Sequence, residues 1–219
     1  MDYSFQFRVI EANIDKFVGG LALGLGLALA SILVGTLIGI FCAFATTAKS
    51  KVPARLVNIY VSAFRNTPLL VIILFAYFAL PQIGLRFGKN ESFILSLAIY
   101  AGAYLTEVFR AGLAGVPKGV VDAGRAIGLT GFQVALYVVF PIMLRNALPA
   151  LGTTFISLFK DTSLAAVIAV PELTYQARKL NTETFRVAEA WSTAAALYLA
   201  TCLVIAAGLR RLERLFPKF

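Results

Sequence analysis

Five long apolar stretches, residues 17–47, 57–80, 92–114, 147–170 and 187–209, constrain this chain more than any other feature. A helix needs about 20 mainly apolar residues to cross a bilayer. Within hydrocarbon, a helix satisfies its own backbone polar groups, and an isolated strand does not. The sequence therefore reads as one all-α integral membrane domain over residues 1–219, with five spans and no linker to a second domain. Composition agrees: 59% of the residues are apolar and 14% charged, against about 25% charged in ordinary soluble domains.

The first span carries Gly20, Gly24, Gly35 and Gly39 in two Gly-x-x-x-Gly patterns, which permit close helix approach. Before it, residues 1–16 mix Phe5, Phe7, Val9 and Ile10 with Arg8, Glu11 and Asp15. That mixture predicts an interfacial helix rather than a removable signal peptide. The second span is interrupted at Arg65-Asn66-Thr67-Pro68, where Thr67 is predicted to cap a helix begun by Pro68. Those four residues are either gate residues or a turn between an interfacial helix and a span. Residues 171–186 read as a polar loop with a short helix.

The net charge is +9 and unevenly placed. On one side of the bundle, twelve basic residues, including Lys49, Lys51, Arg145, Arg210, Arg211 and Lys218, face only Asp122 and Glu213. On the other, seven basic residues balance seven acids, Asp2 among them. Basic loops stay in the cytoplasm, so the N-terminus is expected outside and the C-terminus in the cytoplasm. The excess charge serves orientation and anionic lipid headgroups; nothing suggests a nucleic-acid reader.

Little in the sequence suggests catalysis. There is no histidine, hence none of the usual neutral-pH acid–base groups. Cys42 and Cys202 lie in apolar spans and read as small packed side chains. There is no Gly-x-x-x-x-Gly-Lys-Ser/Thr phosphate loop, no nucleophile–base pair and no metal-ligand spacing. If ATP drives this protein, another chain binds and hydrolyses it.

The longest polar stretch, residues 116–146, lies between the third and fourth spans. Pro117 suits a first helical turn. Asp122 and Arg125 are spaced for a weak ion pair on one helical face. Ala123, Gly124, Ala126 and Gly128 are small, and Gly128 suits a left-handed helix end. A second short helix, residues 132–140, is predicted to stop at Pro141, which turns the chain toward the next span.

Ionisable groups within spans cost several kcal/mol and usually face a partner or a watery cavity. Glu107 either pairs with Arg110 or Lys160, or holds a substrate ammonium or guanidinium group. Lys160 and Asp161 are adjacent and point to different faces. Asp161, Thr162 and Ser163 are cap-forming residues, which predicts a helix that stops and restarts in mid-membrane, a recurring way to build a polar site. Either this is a structural cap with Lys160 snorkelling, or Asp161 meets an α-ammonium while Lys160 and the freed N–H groups meet a carboxylate.

Asp122-Ala123-Gly124, Gly128, Val138 and Phe140-Pro141 resemble the coupling loop of bacterial ABC-importer permeases. That loop runs Glu-Ala-Ala, three residues, Gly, nine residues, Ile, one residue, Leu-Pro. The spacing is kept; Asp stands for Glu, Gly for Ala, and Val and Phe for Ile and Leu. FRNTPLL (64–70), AYLTEVFRAGLAGVPKG (103–119) and SLFKDTSLAAVIAVPEL (157–173) resemble the polar amino-acid branch of that family, which moves histidine, arginine, glutamine or glutamate. The likeness covers residues 19–210 and implies a type I importer permease in the bacterial inner membrane. It implies a second permease subunit, identical or related, two ATPase subunits that bind ATP and Mg, and a periplasmic or extracellular amino-acid-binding protein. Asp122, Ala123, Gly124, Arg125, Gly128 and Pro141 would carry ATPase motion into the spans by alternating access. The region around Lys160 and Asp161 would line the substrate path. The rival reading is an ion-coupled secondary transporter of amino acids that uses Glu107 or Asp161 as its ion site.

Overall fold

The computed structural model describes residues 4–48 and 50–215, and among these there is no strand. Lys49, Lys218 and Asp2, which enter the charge asymmetry, lie outside the described residues. The interfacial helix expected over residues 1–16 is observed as a single turn, α1 (Arg8–Glu11), and its first three residues are also outside the described set.

α2 (Ile14–Ala45) is a 32-residue helix with no charged side chain after Lys16. Its partner is α5 (Lys89–Ala114), the centre of the bundle. Phe93, Leu97, Ala101, Leu105 and Phe109 recur every fourth residue on α5 and are all at 0% exposure, so one complete stripe is withdrawn from both water and lipid. The two helices meet backbone to backbone. A Cβ added at Gly35 would lie 2.7 Å from that of Ala101, and one at Gly39 would lie 2.8 Å from that of Leu105. This is the close approach that small-residue spacing permits.

The second expected span is two helical segments. α3 (Lys51–Arg65) is followed by an apolar run from Leu69 to Ile83, bent from it by 97°. The run comprises α4 (Leu69–Leu74), a π-helical turn (Phe75–Ala79) and a 3-10 turn (Leu80–Ile83). Thr67 does not cap the second segment. Its hydroxyl donates back to the Ala63 carbonyl at 2.8 Å. Pro68 takes an extended ψ of 133° and is itself the flanking residue. A proline ring disfavours helical geometry in the residue before it, which fixes the bend here.

α6 (Lys118–Ala126) and α7 (Gly131–Gln133) form an elbow. From α7 the helix continues through a π-helical turn (Val134–Val139), α8 (Phe140–Asp161) and a 3-10 turn (Thr162–Ile168), making one 38-residue helical run. Two expectations fail here. Pro141 does not turn the chain: it sits in the first turn of α8, where a missing N–H is tolerated, and the wide π turn before it accommodates the ring. Nor does the helix stop at residues 161–163. Asp161 (φ −64°, ψ −16°) and Thr162 (φ −61°, ψ −22°) keep helical dihedrals. Thr162 Oγ1 donates to the Phe159 carbonyl at 2.7 Å, so the helix tightens instead of breaking. The run ends at Ala169, in left-handed conformation (φ 57°).

α9 (Leu173–Thr184) packs on α2 and α10. α10 (Val187–Leu215) is the outermost helix, with only Glu189, Ala190 and Ala194 buried. Among the described residues, four helical runs are long and apolar enough to cross a membrane, and the bent pair makes a fifth.

Candidate permeation site and coupling elbow

A cavity of about 200 Å³ lies between α5 and α8, lined by Tyr100, Tyr104, Thr153, Thr154, Ser157, Leu158 and Asp161. Residues three or four apart share a helical face. Thr153 or Thr154, Ser157 and Asp161 therefore present a polar stripe to the tyrosines of α5. The Tyr100 and Tyr104 rings are 4.8 Å apart, and the Tyr100 hydroxyl donates to that of Tyr104 at 3.2 Å. Arg65, at the bend after α3, holds its guanidinium carbon 5.0 Å from the centre of the Tyr104 ring, a cation–π arrangement. A carboxylate and a guanidinium thus flank two aromatic hydroxyls and three aliphatic ones. That set can bind an ammonium at Asp161, a carboxylate toward Arg65, and a polar side chain along the hydroxyls.

The other expected site residues sit elsewhere. Glu107 shares a face with Tyr100 and Tyr104 but is not among the cavity's lining residues. Its Oε1 pairs with Arg110 Nη1 at 2.8 Å, and the same guanidinium nitrogen donates to Asn58 Oδ1 at 3.0 Å. Lys160 is exposed and outside the lining, Ser163 is partly buried, and Thr162 is buried. Because the helix does not restart, no freed N–H groups serve a carboxylate at residues 161–163. The lining hydroxyls of Thr153, Thr154 and Ser157 were missed by sequence reading. Their spacing to Asp161 was the available signal.

The elbow is built from two local caps. Gly128 adopts φ 87°, a conformation that strains any side-chain-bearing residue. Its N–H donates to the Arg125 carbonyl at 3.0 Å, and the Leu129 N–H donates to the Gly124 carbonyl at 3.2 Å. This is the paired bond of a glycine-terminated helix. Thr130 then starts α7 with a reciprocal capping box: its N–H donates to Gln133 Oε1 at 2.8 Å, and Gln133 N–H to its hydroxyl at 3.4 Å. Pro117 flanks α6 in extended conformation rather than entering its first turn.

Asp122 and Arg125 are 3.7 Å apart with side chains 71% and 67% exposed, so this pair contributes little to stability. Gly124 is buried: a Cβ there would reach ordinary contact with Val138 at 3.4 Å and Val134 at 3.5 Å. Gly124 thus lies at the packing of α6 on the π turn with room for a methyl group, while Ala123 stays exposed. At the tip, Ile127 is 78% and Phe132 75% exposed. Behind the elbow, a groove of about 550 Å³ separates it from the ends of α2 and α5, with Phe44, Thr47 and Leu113 on one wall and Val121, Asp122 and Arg125 on the other.

Two carboxylates outside the cavity, Glu172 and Glu189, are fully buried. Glu172, at 0% exposure, caps α9 by accepting the N–H groups of Thr174 at 2.9 Å and Tyr175 at 2.8 Å. It also accepts the Tyr198 hydroxyl of α10 at 2.8 Å. Burial pushes its carboxyl above the ordinary value of 4.5, against the pull of those hydrogen bonds.

Comparisons with known proteins agree with this architecture. Residues 35–216 match the family described as binding-protein-dependent transport system inner membrane component. The chain is 35% identical over 212 residues to the glutamine transport system permease protein GlnP of Escherichia coli (strain K12), covering 96% of this chain and 97% of that one. It is 31% identical over 202 residues to the arginine ABC transporter permease protein ArtQ of Haemophilus influenzae, covering 89% and 90%. Among solved structures, an amino acid ABC transporter crystallised with histidines superposes with a TM-score of 0.88 at 32% identity, over 97% of this chain and 99% of that one. An elbow between apolar helical runs, a polar cavity within the bundle and these matches lead to one assignment: the chain belongs to the inner-membrane permease components of binding-protein-dependent ABC importers.

Proposed function

We propose that this chain forms the path by which an amino acid crosses the membrane, and that it works by alternating access. Two permease subunits, identical or related, enclose the path, and a periplasmic or extracellular amino-acid-binding protein delivers the cargo. Two ABC ATPase subunits bind ATP and Mg and dock on the elbow. The charge distribution supports an external N-terminus and a cytoplasmic C-terminus, which puts the elbow on the ATPase side. Its exposed tip residues Ile127 and Phe132, beside Asp122, Ala123 and Arg125, form an apolar patch rimmed by charge, as docking surfaces are. Gly128 permits the left-handed turn of the bend, and the helical run through Pro141 and α8 carries the displacement toward Asp161. ATP binding drives transport only if it favours one access state over the other.

The observation that carries this reading is the placement of Asp161 in a hydroxyl-lined cavity with Arg65 stacked on its aromatic wall. A free amino acid carries the two charges that such a site complements. Relatives named for glutamine and arginine support an amino acid as cargo. Glu107, held by Arg110 and lying on the tyrosine face, acts further along the path and not as the principal substrate ligand. The test is uptake of a panel of radiolabelled amino acids into vesicles that contain the permease, its ATPase and its binding protein. ATP-dependent uptake of at least one of them, lost in Asp161→Asn, is the expected result. Uptake by the permease alone on an ion gradient would overturn it.

A further inference from the structure

A second groove, of about 290 Å³, lies between α8 and the end of α10, lined by Pro141, Leu144, Arg145, Leu148 and Leu212. We infer that this groove binds one anionic phospholipid, with an acyl chain along the leucines and the headgroup phosphate held by Arg145 and Arg211.

Three observations carry this. First, the groove is on the side of α8 away from the permeation cavity. Leu144 precedes Thr153, and Leu148 precedes Ser157, by nine residues each, which is about two and a half helical turns. The face that carries the cavity is thus turned toward the path, and the groove toward the bilayer. Second, the surrounding surface is of lipid-facing character: Leu203 is 57%, Val204 72% and Leu215 74% exposed along α10. Third, the groove is apolar except for Arg145, and Arg211, the exposed neighbour of Leu212, lies at the same end of the bundle. Arg210 and Arg214 add to the positive field there, against the single carboxylate of Glu213, which packs on α8 at Gly152. A phosphodiester complements this charge, and paired arginines suit its oxygens better than lysines do. Basic pockets between helices at the leaflet boundary are the expected form of such a site. A zwitterionic lipid would bring its own cation into the arginine field and is disfavoured.

The test uses the intact permease–ATPase complex purified in mild detergent. Native mass spectrometry counts retained lipid, and thermal melting follows titration with phosphatidylglycerol or phosphatidylcholine. Wild type is expected to retain phosphatidylglycerol and to melt higher with it, but not with phosphatidylcholine. Arg145→Gln with Arg211→Gln should weaken that binding about thirtyfold. Leu148→Trp, which fills the groove and leaves the charges, should also abolish retention, which ties the effect to the groove rather than to surface charge. Equal retention of phosphatidylglycerol by all three proteins would overturn the proposal. So would a disulfide between two permease copies carrying Leu148→Cys, because it would show the groove covered by a second copy.

Discussion

The elbow and the cavity are made in opposite ways. The elbow is built from neighbours in sequence: Gly128 ends one helix, and Thr130 and Gln133 begin the next two residues later. The cavity gathers Arg65, Tyr100, Tyr104 and Asp161 from three segments across almost 100 residues. The elbow's charges are exposed and its pair is loose, whereas the cavity concentrates its charges against aromatic rings. The contrast teaches that a helix–turn–helix elbow can be specified by backbone rules alone, while a cavity that gathers distant side chains needs the tertiary frame that the α2–α5 packing supplies.

The comparison breaks most directly at Asp161. Asp161→Asn is expected to lower uptake on the order of 10- to 100-fold, the worth of a hydrogen bond to a charged group, while ATP hydrolysis by the assembled complex persists. Gly128→Val should act on the other region. Forcing a branched residue into the left-handed region costs about 1–2 kcal/mol, so the elbow relaxes and substrate-stimulated hydrolysis drops several-fold or more. Insertion and lipid-embedded folding, measured by protease protection, should be unaffected. Normal uptake with normal stimulated hydrolysis in Gly128→Val would remove the elbow from the coupling step.

The sequence disclosed these regions unequally, for a physical reason. Apolar length alone indicated the spans, and the glycine spacing at Gly35 and Gly39 indicated a close helix approach without naming its partner, which is α5. Gly128 was legible as a helix end because a cap acts within a few residues, whereas the partners of Gly124, Val134 and Val138, lie ten and fourteen residues on. Pro141 misled because a proline's effect depends on the register before it, and a π turn is a register shift with no composition signal. Asp161-Thr162-Ser163 misled because cap-forming side chains can equally bond back to their own helix, as Thr162 does to Phe159. Thr153, Thr154 and Ser157 stayed hidden until the facing tyrosines were located in space, since hydroxyls bonding back to their own helix are common in membrane helices.

Two smaller effects sharpen the picture. Glu107→Gln removes a half-exposed pair with Arg110, and such pairs are worth about 0.2–1 kcal/mol. Uptake is expected to change less than about fivefold; a fall as deep as that of Asp161→Asn would place Glu107 at the substrate. The smallest effect concerns Glu172. Its folded carboxyl takes a proton more readily than the unfolded one, so its contribution favours the folded state below the ordinary value of 4.5 and is lost as pH rises through the raised folded value. Melting temperature across that window should therefore decline slightly in wild type and flatten in Glu172→Gln. A slope of opposite sign would mean that the three donors outweigh burial.

The most direct test of the central claim is amino-acid uptake per ATP hydrolysed, measured in vesicles holding the complete importer with Asp161→Asn in the permease. Continued hydrolysis with uptake reduced at least tenfold is the predicted result, because the motor and elbow would still move around a site that no longer holds its cargo. Uptake per ATP equal to that of wild type would contradict it.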